Sequence, residues 1–196
     1  MRESSFSVTL FFSHIISLFL PTIDRNNLNG KLSEDFCLMN GLTFLRISEN
    51  VVELPRCLPK LSQLHELDFR RNGFVGGLPF GLYSMPSLKS LELSDNDFSG
   101  SIDTLFANAM SNEPFFPNLR TLNLANNNLS GEIPEGVLRR LPSLDELLLH
   151  GNPQLSGSLN EMCKGDRFSQ IDANCDVVSC RCCTSGENCP SSPLSV

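Results

Sequence analysis

Residues 119–134 read LRTLNLANNNLSGEIP, and the fold turns on how often that wording returns along the chain. Its first eleven residues obey L-x-x-L-x-L-x-x-N-x-L. The same template fits residues 64–74 (LHELDFRRNGF), 88–98 (LKSLELSDNDF) and 144–155 (LDELLLHGNPQL, with one extra residue around Pro153). A copy at 42–52 (LTFLRISENVV) uses Ile and Val, and a degraded copy begins at Leu18 (LFLPTIDRNNL, Pro21 replacing a leucine). From Leu42 to Leu144 the starts are 22, 24, 31 and 25 residues apart. A period in this range marks a solenoid of stacked coils.

Each template position has a physical task. The L-x-L alternation makes a short strand whose leucines share one side. Stacked copies give a parallel sheet over one continuous leucine core. Asn26, Asn50, Asn72, Asn96, Asn127 and Asn152 fall where the chain leaves that strand. Backbone groups buried at such a bend need partners, and an amide supplies both donor and acceptor. These six residues are therefore expected to form a ladder. Beyond them, LNGKL (28–32), FVGGLP (74–79), FSGSI (98–102) and LSGEIP (129–134) repeat a glycine bend followed in two copies by proline. Pro86, Pro117 and Pro142 mark where the outer segment ends and the next strand begins.

The N-x-L-x-G-x-I-P continuation resembles the plant-type extracellular leucine-rich repeat, found in receptor ectodomains and secreted inhibitors. The resemblance covers about residues 18–160, although the Cys- and Trp-containing N-terminal cap of that class is missing. The tail from Asp172 (DANCDVVSCRCCTSGENC) is similar to the cysteine-rich ends of diatom leucine-rich-repeat proteins. The expected fold is an α/β solenoid: a right-handed coil with a parallel β-sheet on its concave face and an irregular or short helical outer face. Residues 1–20 read as a signal peptide or membrane anchor, with a truncated first repeat as the alternative. Residues 18–160 form the repeat domain of about six repeats, and 161–196 a cysteine-rich cap and tail. The stretch DTLFANAMSNEPFFP (103–117) lengthens one coil, and the spacing of Leu105, Phe106, Ala109 and Met110 predicts a short outer-face helix followed by a loop.

Charge and cysteine content narrow the function. A net charge of -7 without a basic cluster argues against nucleic-acid partners. Cys163, Cys175, Cys180, Cys182, Cys183 and Cys189 crowd the last 34 residues. That density points to an oxidising compartment and to disulfides closing the end of the core. Their spacing, C-x-C-C-x5-C at the end, matches no familiar zinc site, so no metal is expected. Cys37 and Cys57 lie one coil apart and either pair or stay as buried thiols. No catalytic motif is present and no cofactor is expected, because His14, His65 and His150 sit far apart along the chain.

Function is thus expected in outward side chains of the concave strands. The candidate ligand contacts are Arg46, Glu66, Asp68, Arg70, Arg71, Glu92, Asp95, Asn123 and His150, with Arg70 and Arg71 as the leading patch. Such a mixed face suits a protein, peptide or glycan ligand, and the resemblance adds a membrane co-receptor as a further partner. Nothing points to a homo-oligomer. The expected role is a non-catalytic extracellular recognition scaffold, secreted or at the cell surface. The alternatives are a secreted hydrolase inhibitor, by resemblance to polygalacturonase-inhibiting proteins, and a structural wall component. Asn128, in Asn128-Leu129-Ser130, is a glycosylation acceptor.

Overall fold

The computed structural model describes residues 25, 29–32, 34–78, 81–106, 115–165, 167–184 and 189. The expected export or anchor segment and Asn26 lie outside these residues. Among the described residues thirteen strands follow one another: β1 (Asn29–Lys31), β2 (Phe44–Arg46), β3 (Val51–Glu53), β4 (Glu66–Asp68), β5 (Val75–Gly76), β6 (Ser90–Glu92), β7 (Asp97–Ser101), β8 (Thr121–Asn123), β9 (Asn128–Glu132), β10 (Glu146–Leu148), β11 (Gln154–Ser158), β12 (Gln170–Asp172) and β13 (Val178–Ser179). Strands β2, β4, β6, β8, β10 and β12 lie side by side, all parallel, in chain order. The chain is an α/β solenoid with this sheet on its concave face.

Register explains why leucine dominates the interior. Leu45, Leu67, Leu91, Leu122, Leu147 and Ile171 stand opposite one another across the six strands. Each is at most 2% exposed, as are Ile47, Phe69, Leu93, Leu124 and Leu149, two residues further along each strand. Parallel strands of identical pattern place like residues at like heights, so one residue type fills each layer. Outside the sheet, 3-10 turns at Leu58–Lys60, Leu82–Ser84 and Ile102–Phe106 and one α-turn at Glu135–Leu138 close the coils. Leu105 and Phe106 of the stretched coil are buried, while Ala109 and Met110 lie outside the described residues.

Two features go beyond the sequence expectation. The glycine-containing segments are not merely irregular: β5, β7, β9, β11 and β13 pair into a second parallel sheet on the return side. The sixth strand of the concave sheet comes from the cysteine-rich segment, where Phe168, Ile171 and Ala173 keep the L-x-x-L-x-L spacing with poorer residues. Four disulfides join Cys37–Cys57, Cys163–Cys182, Cys175–Cys189 and Cys180–Cys183. Three of them brace the coil that ends the sheet.

The asparagines form their ladder with a regular bond pattern. Asn96 Nδ2 donates to Phe69 O (3.0 Å), Leu93 O (3.0 Å) and Ser94 O (3.1 Å), so it ties its own coil to the one before. Asn72, Asn127 and Asn152 repeat this pattern. The side-chain oxygens also work between coils. Phe74 N donates to Asn96 Oδ1 (3.1 Å), Phe98 N to Asn127 Oδ1 (3.0 Å) and Leu129 N to Asn152 Oδ1 (3.0 Å). Asn50 is buried and donates to Ser48 O at 2.9 Å.

One junction departs from the pattern. Asn72 Oδ1 is buried and receives no donor, an arrangement that costs about 1–3 kcal/mol. At the same junction β3 and β5 do not pair, so β1 and β3 form a separate two-stranded sheet. The short coil explains this. In three of the other return-side pairs, the residue just after a ladder Asn faces the residue three after the preceding one: Val51 faces Asn29, Asp97 faces Val75, and Asn128 faces Ser99. Between β9 and β11 the extra Pro153 shifts the register by one, and Gln154 faces Ser130. Continued to β3 and β5, that stagger would set Val75 against Pro55. The 22-residue coil reads NVVELP where its successor reads NGFVGGLP, so two residues are missing and Pro55 stands where the sheet needs an N–H.

Candidate ligand-binding face

The outward side chains of the concave sheet fall into columns. One holds Phe44, Glu66, Ser90, Thr121, Glu146 and Gln170; the next holds Arg46, Asp68, Glu92, Asn123, Leu148 and Asp172. All the charged contact candidates therefore share one face or its rim, but neighbouring coils have already engaged many of them. Arg46 Nε donates to Glu66 Oε1 at 2.6 Å. Arg70 grips Asp68 through two bonds, Nε to Oδ1 at 2.9 Å and Nη2 to Oδ2 at 2.7 Å. Asp68 is 2% exposed, so the Arg70 guanidinium, itself 47% exposed, supplies the counter-charge of a buried carboxylate on the same face.

Arg71 is committed in another way. The residue before each described ladder Asn has a left-handed backbone: Glu49 (φ 57°), Arg71 (55°), Asp95 (56°), Asn126 (53°) and Gly151 (69°), preceded by Arg25 at 58°. These turn residues form a rim beside the sheet, and their side chains run in alternating charge. Arg25 pairs with Glu49 at 2.9 Å, Arg71 with Glu49 at 3.4 Å and with Asp95 at 3.5 Å, and Asn126 Nδ2 donates to Asp95 Oδ1 at 2.8 Å. The Arg25 hydrogen bond holds the Glu49 carboxyl below the usual carboxylate range.

Further along the face, the balance turns acidic. Glu92 accepts from Asn123 Nδ2 at 2.7 Å, and Glu146 accepts from Thr121 Oγ1 at 3.1 Å. Burial pushes the Glu92 carboxyl above its ordinary value, and nearby Asp68 and Glu146 add to the rise, against the Asn123 bond and the Arg70 charge. His150 Nδ1 lies 2.9 Å from Asp172 Oδ2. His65, at the opposite end, has Nδ1 2.8 Å from Gln63 O and its ring stacked on Phe44. The two histidines thus serve separate neighbours. Phe44 is 42% exposed and is a large apolar contact that charge-based reasoning passed over. Asp172 was also missed, because its strand has weak repeat spelling.

The other candidate sites take their places around this face. Asn128 is an exposed residue of the second sheet, and its side-chain oxygen accepts from Gln154 Nε2 at 3.0 Å. The sulfurs of Cys163, Cys180 and Cys182 lie within 4.8 Å of one another. Each is oxidised in a disulfide, so none offers the thiolate that a metal needs. Among the described residues no helix is long and apolar enough to cross a membrane.

This geometry is shared with known proteins. Leucine-rich-repeat family models match residues 87–109 and 106–153. Receptor-like protein 49 of Arabidopsis thaliana is 33% identical over 90 residues, which are 45% of this chain and 10% of that protein. Receptor like protein 22 of the same plant is 41% identical over 63 residues, 31% of this chain and 8% of that protein. The chain thus spans about a tenth of the length of these relatives. Among solved structures, the leucine-rich-repeat ectodomain of the Arabidopsis receptor kinase SOBIR1 superposes with a TM-score of 0.57 at 30% identity, over 68% of this chain and 70% of that one. The ectodomain of the Arabidopsis receptor kinase HAESA, solved with an IDA peptide hormone ligand, gives 0.67 at 32% identity, over 80% of this chain and 25% of that one. Similar repeats, similar coils and a similar parallel sheet lead to one family: the chain belongs to the plant-type extracellular leucine-rich-repeat proteins.

Proposed function

We propose that the chain is a non-catalytic extracellular recognition scaffold that binds a peptide or protein segment along its concave sheet. The observation that carries this reading is the alignment of outward polar side chains in columns over six parallel strands, with exposed Phe44 at one end. Such a face offers an extended ligand the same spacing coil after coil. The HAESA ectodomain, solved with a peptide hormone, supports a peptide as the ligand class.

Within the candidate set the roles divide. Arg70, Asp68 and the rim residues Arg71 and Asp95 hold the face in shape, whereas Phe44, Arg46, Glu66, Glu92, Asn123 and His150 meet the ligand. Residues 1–20 deliver or anchor the chain at the cell surface, residues 18–160 carry five of the six strands of the binding face, and 161–196 supply the sixth and cap it. Asn128 lies away from this face, so a glycan there leaves it open. The test is a peptide-display selection on the secreted chain, followed by Phe44→Ala and by Glu92→Arg with Asn123→Arg. Selected peptides should lose affinity to these variants and keep it for exposed changes on the second sheet, such as Gln154→Arg. Equal loss on both faces, or none on the concave one, would remove the proposal.

A further inference from the structure

The interrupted second sheet leaves more than a missing ladder bond. Between β3 and β5 opens a cavity of about 700 Å³, walled on one side by Val51 and Glu53 and on the other by Phe74 and Val75. Leu58 and Leu82 add to its apolar lining, and the rings of Phe74 and Phe98 stack at 5.5 Å. Val51 and Val75 are 56% and 78% exposed, unusual for large apolar side chains flanking one opening. Asn72, whose buried Oδ1 has no donor, also lines it. Glu53 and Arg56, both exposed, supply one charge of each sign, and neither is paired among the described residues.

We infer that this cleft is a second binding site, distinct from the concave face, and that it takes an extended peptide of a partner protein. Four features select that occupant. The facing edges of β3 and β5 lack strand partners, and an unpaired edge is a template for an added strand. The apolar lining accepts an aliphatic or aromatic anchor residue. Glu53 and Arg56 complement one basic and one acidic side chain flanking that anchor. An incoming main-chain N–H supplies the kind of donor that the ladder lacks at Asn72.

The cleft exists because one coil is two residues short, so its removal can be designed. Inserting Gly-Ser between Glu53 and Leu54 gives NVVEGSLP, which restores the spelling of the next coil. The insertion should let β3 pair with β5 and close the opening while the fold is kept. A second variant, Val75→Lys, puts a charge at the mouth on a side chain that is already exposed.

The probe is an array of synthetic pentapeptides with a Leu or Phe centre and all four combinations of Lys and Asp at the ends, each with a proline-substituted control. The intact disulfide-bonded chain should prefer peptides carrying one Lys and one Asp and reject their proline controls. Affinity should fall about tenfold or more in both variants and stay unchanged in Glu92→Arg. Amide exchange should show new protection at residues 51–53 and 73–77 in the insertion variant. Three outcomes would overturn the inference: no array signal above the controls, signal equal in the insertion variant despite the new protection, or uptake of a small apolar dye with no peptide discrimination.

Discussion

The side-chain oxygen of Asn126 fills the space that a β-carbon on Gly151 would need, one coil further along the rim. Gly151 also has φ +69°, so two separate constraints select glycine there. Gly151→Ala should lower stability by about 2 kcal/mol or more, from left-handed backbone strain plus the collision. Adding Asn126→Gly should recover only the side-chain part of the collision, because Asn126 Cα and N also lie 2.9 Å from the β-carbon position. A double-mutant cycle by urea unfolding should therefore show a coupling of about 1 kcal/mol; additive effects would place Asn126 elsewhere.

Arg70 and Arg71 should part company under mutation. Arg70→Ala leaves the carboxylate of Asp68 buried without its bidentate partner, a loss of about 3 kcal/mol. Arg71→Ala removes only exposed rim pairs and should cost under about 1 kcal/mol. Thermal unfolding of the two variants compares them directly, and equal effects would mean that the Asp68 pair is not structural.

Much of this was legible in the sequence, and the rest was hidden for physical reasons. The leucine files, the described asparagines of the ladder and the strand positions all follow from a repeated spelling, because identical coils must bury identical positions. The fate of Arg70 was not legible: whether a cation on a strand faces a ligand or a neighbour depends on the side chain beside it. Strand β12 escaped because Ile171 and Ala173 stand in for leucines. The break between β3 and β5 was present as a 22-residue spacing, but its meaning required the two-residue stagger of the second sheet.

Glu92 gives a pH test. Its carboxyl has a folded-state value raised by burial, so the folded protein holds that proton more tightly than the unfolded chain. Stability from this group is greatest at acid pH and declines as pH rises from the ordinary carboxylate value through the raised one. Glu92→Gln, which keeps an acceptor for Asn123, should raise the melting temperature at pH 7. The gain should vanish near pH 4. A gain independent of pH would mean that packing, not charge, is responsible.

The ladder predicts unequal losses. Asn96→Ala leaves the amides of Asn72 and Phe74 without their acceptor and removes one of two donors from the carbonyls of Phe69, Leu93 and Ser94, and should cost about 3 kcal/mol. Asn72→Ala strands no amide, since its own oxygen has no donor, and of its three carbonyls Phe69 O keeps Asn96 and Arg70 O keeps the Glu49 amide, so it should cost about 1–2 kcal/mol less. Matched losses in chemical denaturation would mean that Asn72 is fully bonded in solution.

Breaking Cys37–Cys57 with paired serines opens a link of sequence separation 20 and should cost about 3 kcal/mol. Loss of amide protection should be concentrated at residues 34–60. Uniform loss along the chain would show that the coils melt as one block.

A stack of coils normally comes apart from its ends, where each outermost layer has one neighbour instead of two. Here covalent bonds hold the layers around residues 37–57 and 163–189. The seam between Asn50 and Asn72 has neither sulfur nor a shared return sheet to secure it. That seam is held by the β2–β4 pair of the concave sheet and by the Asn72 bond to Ile47 O, so it is the interior layer expected to part first.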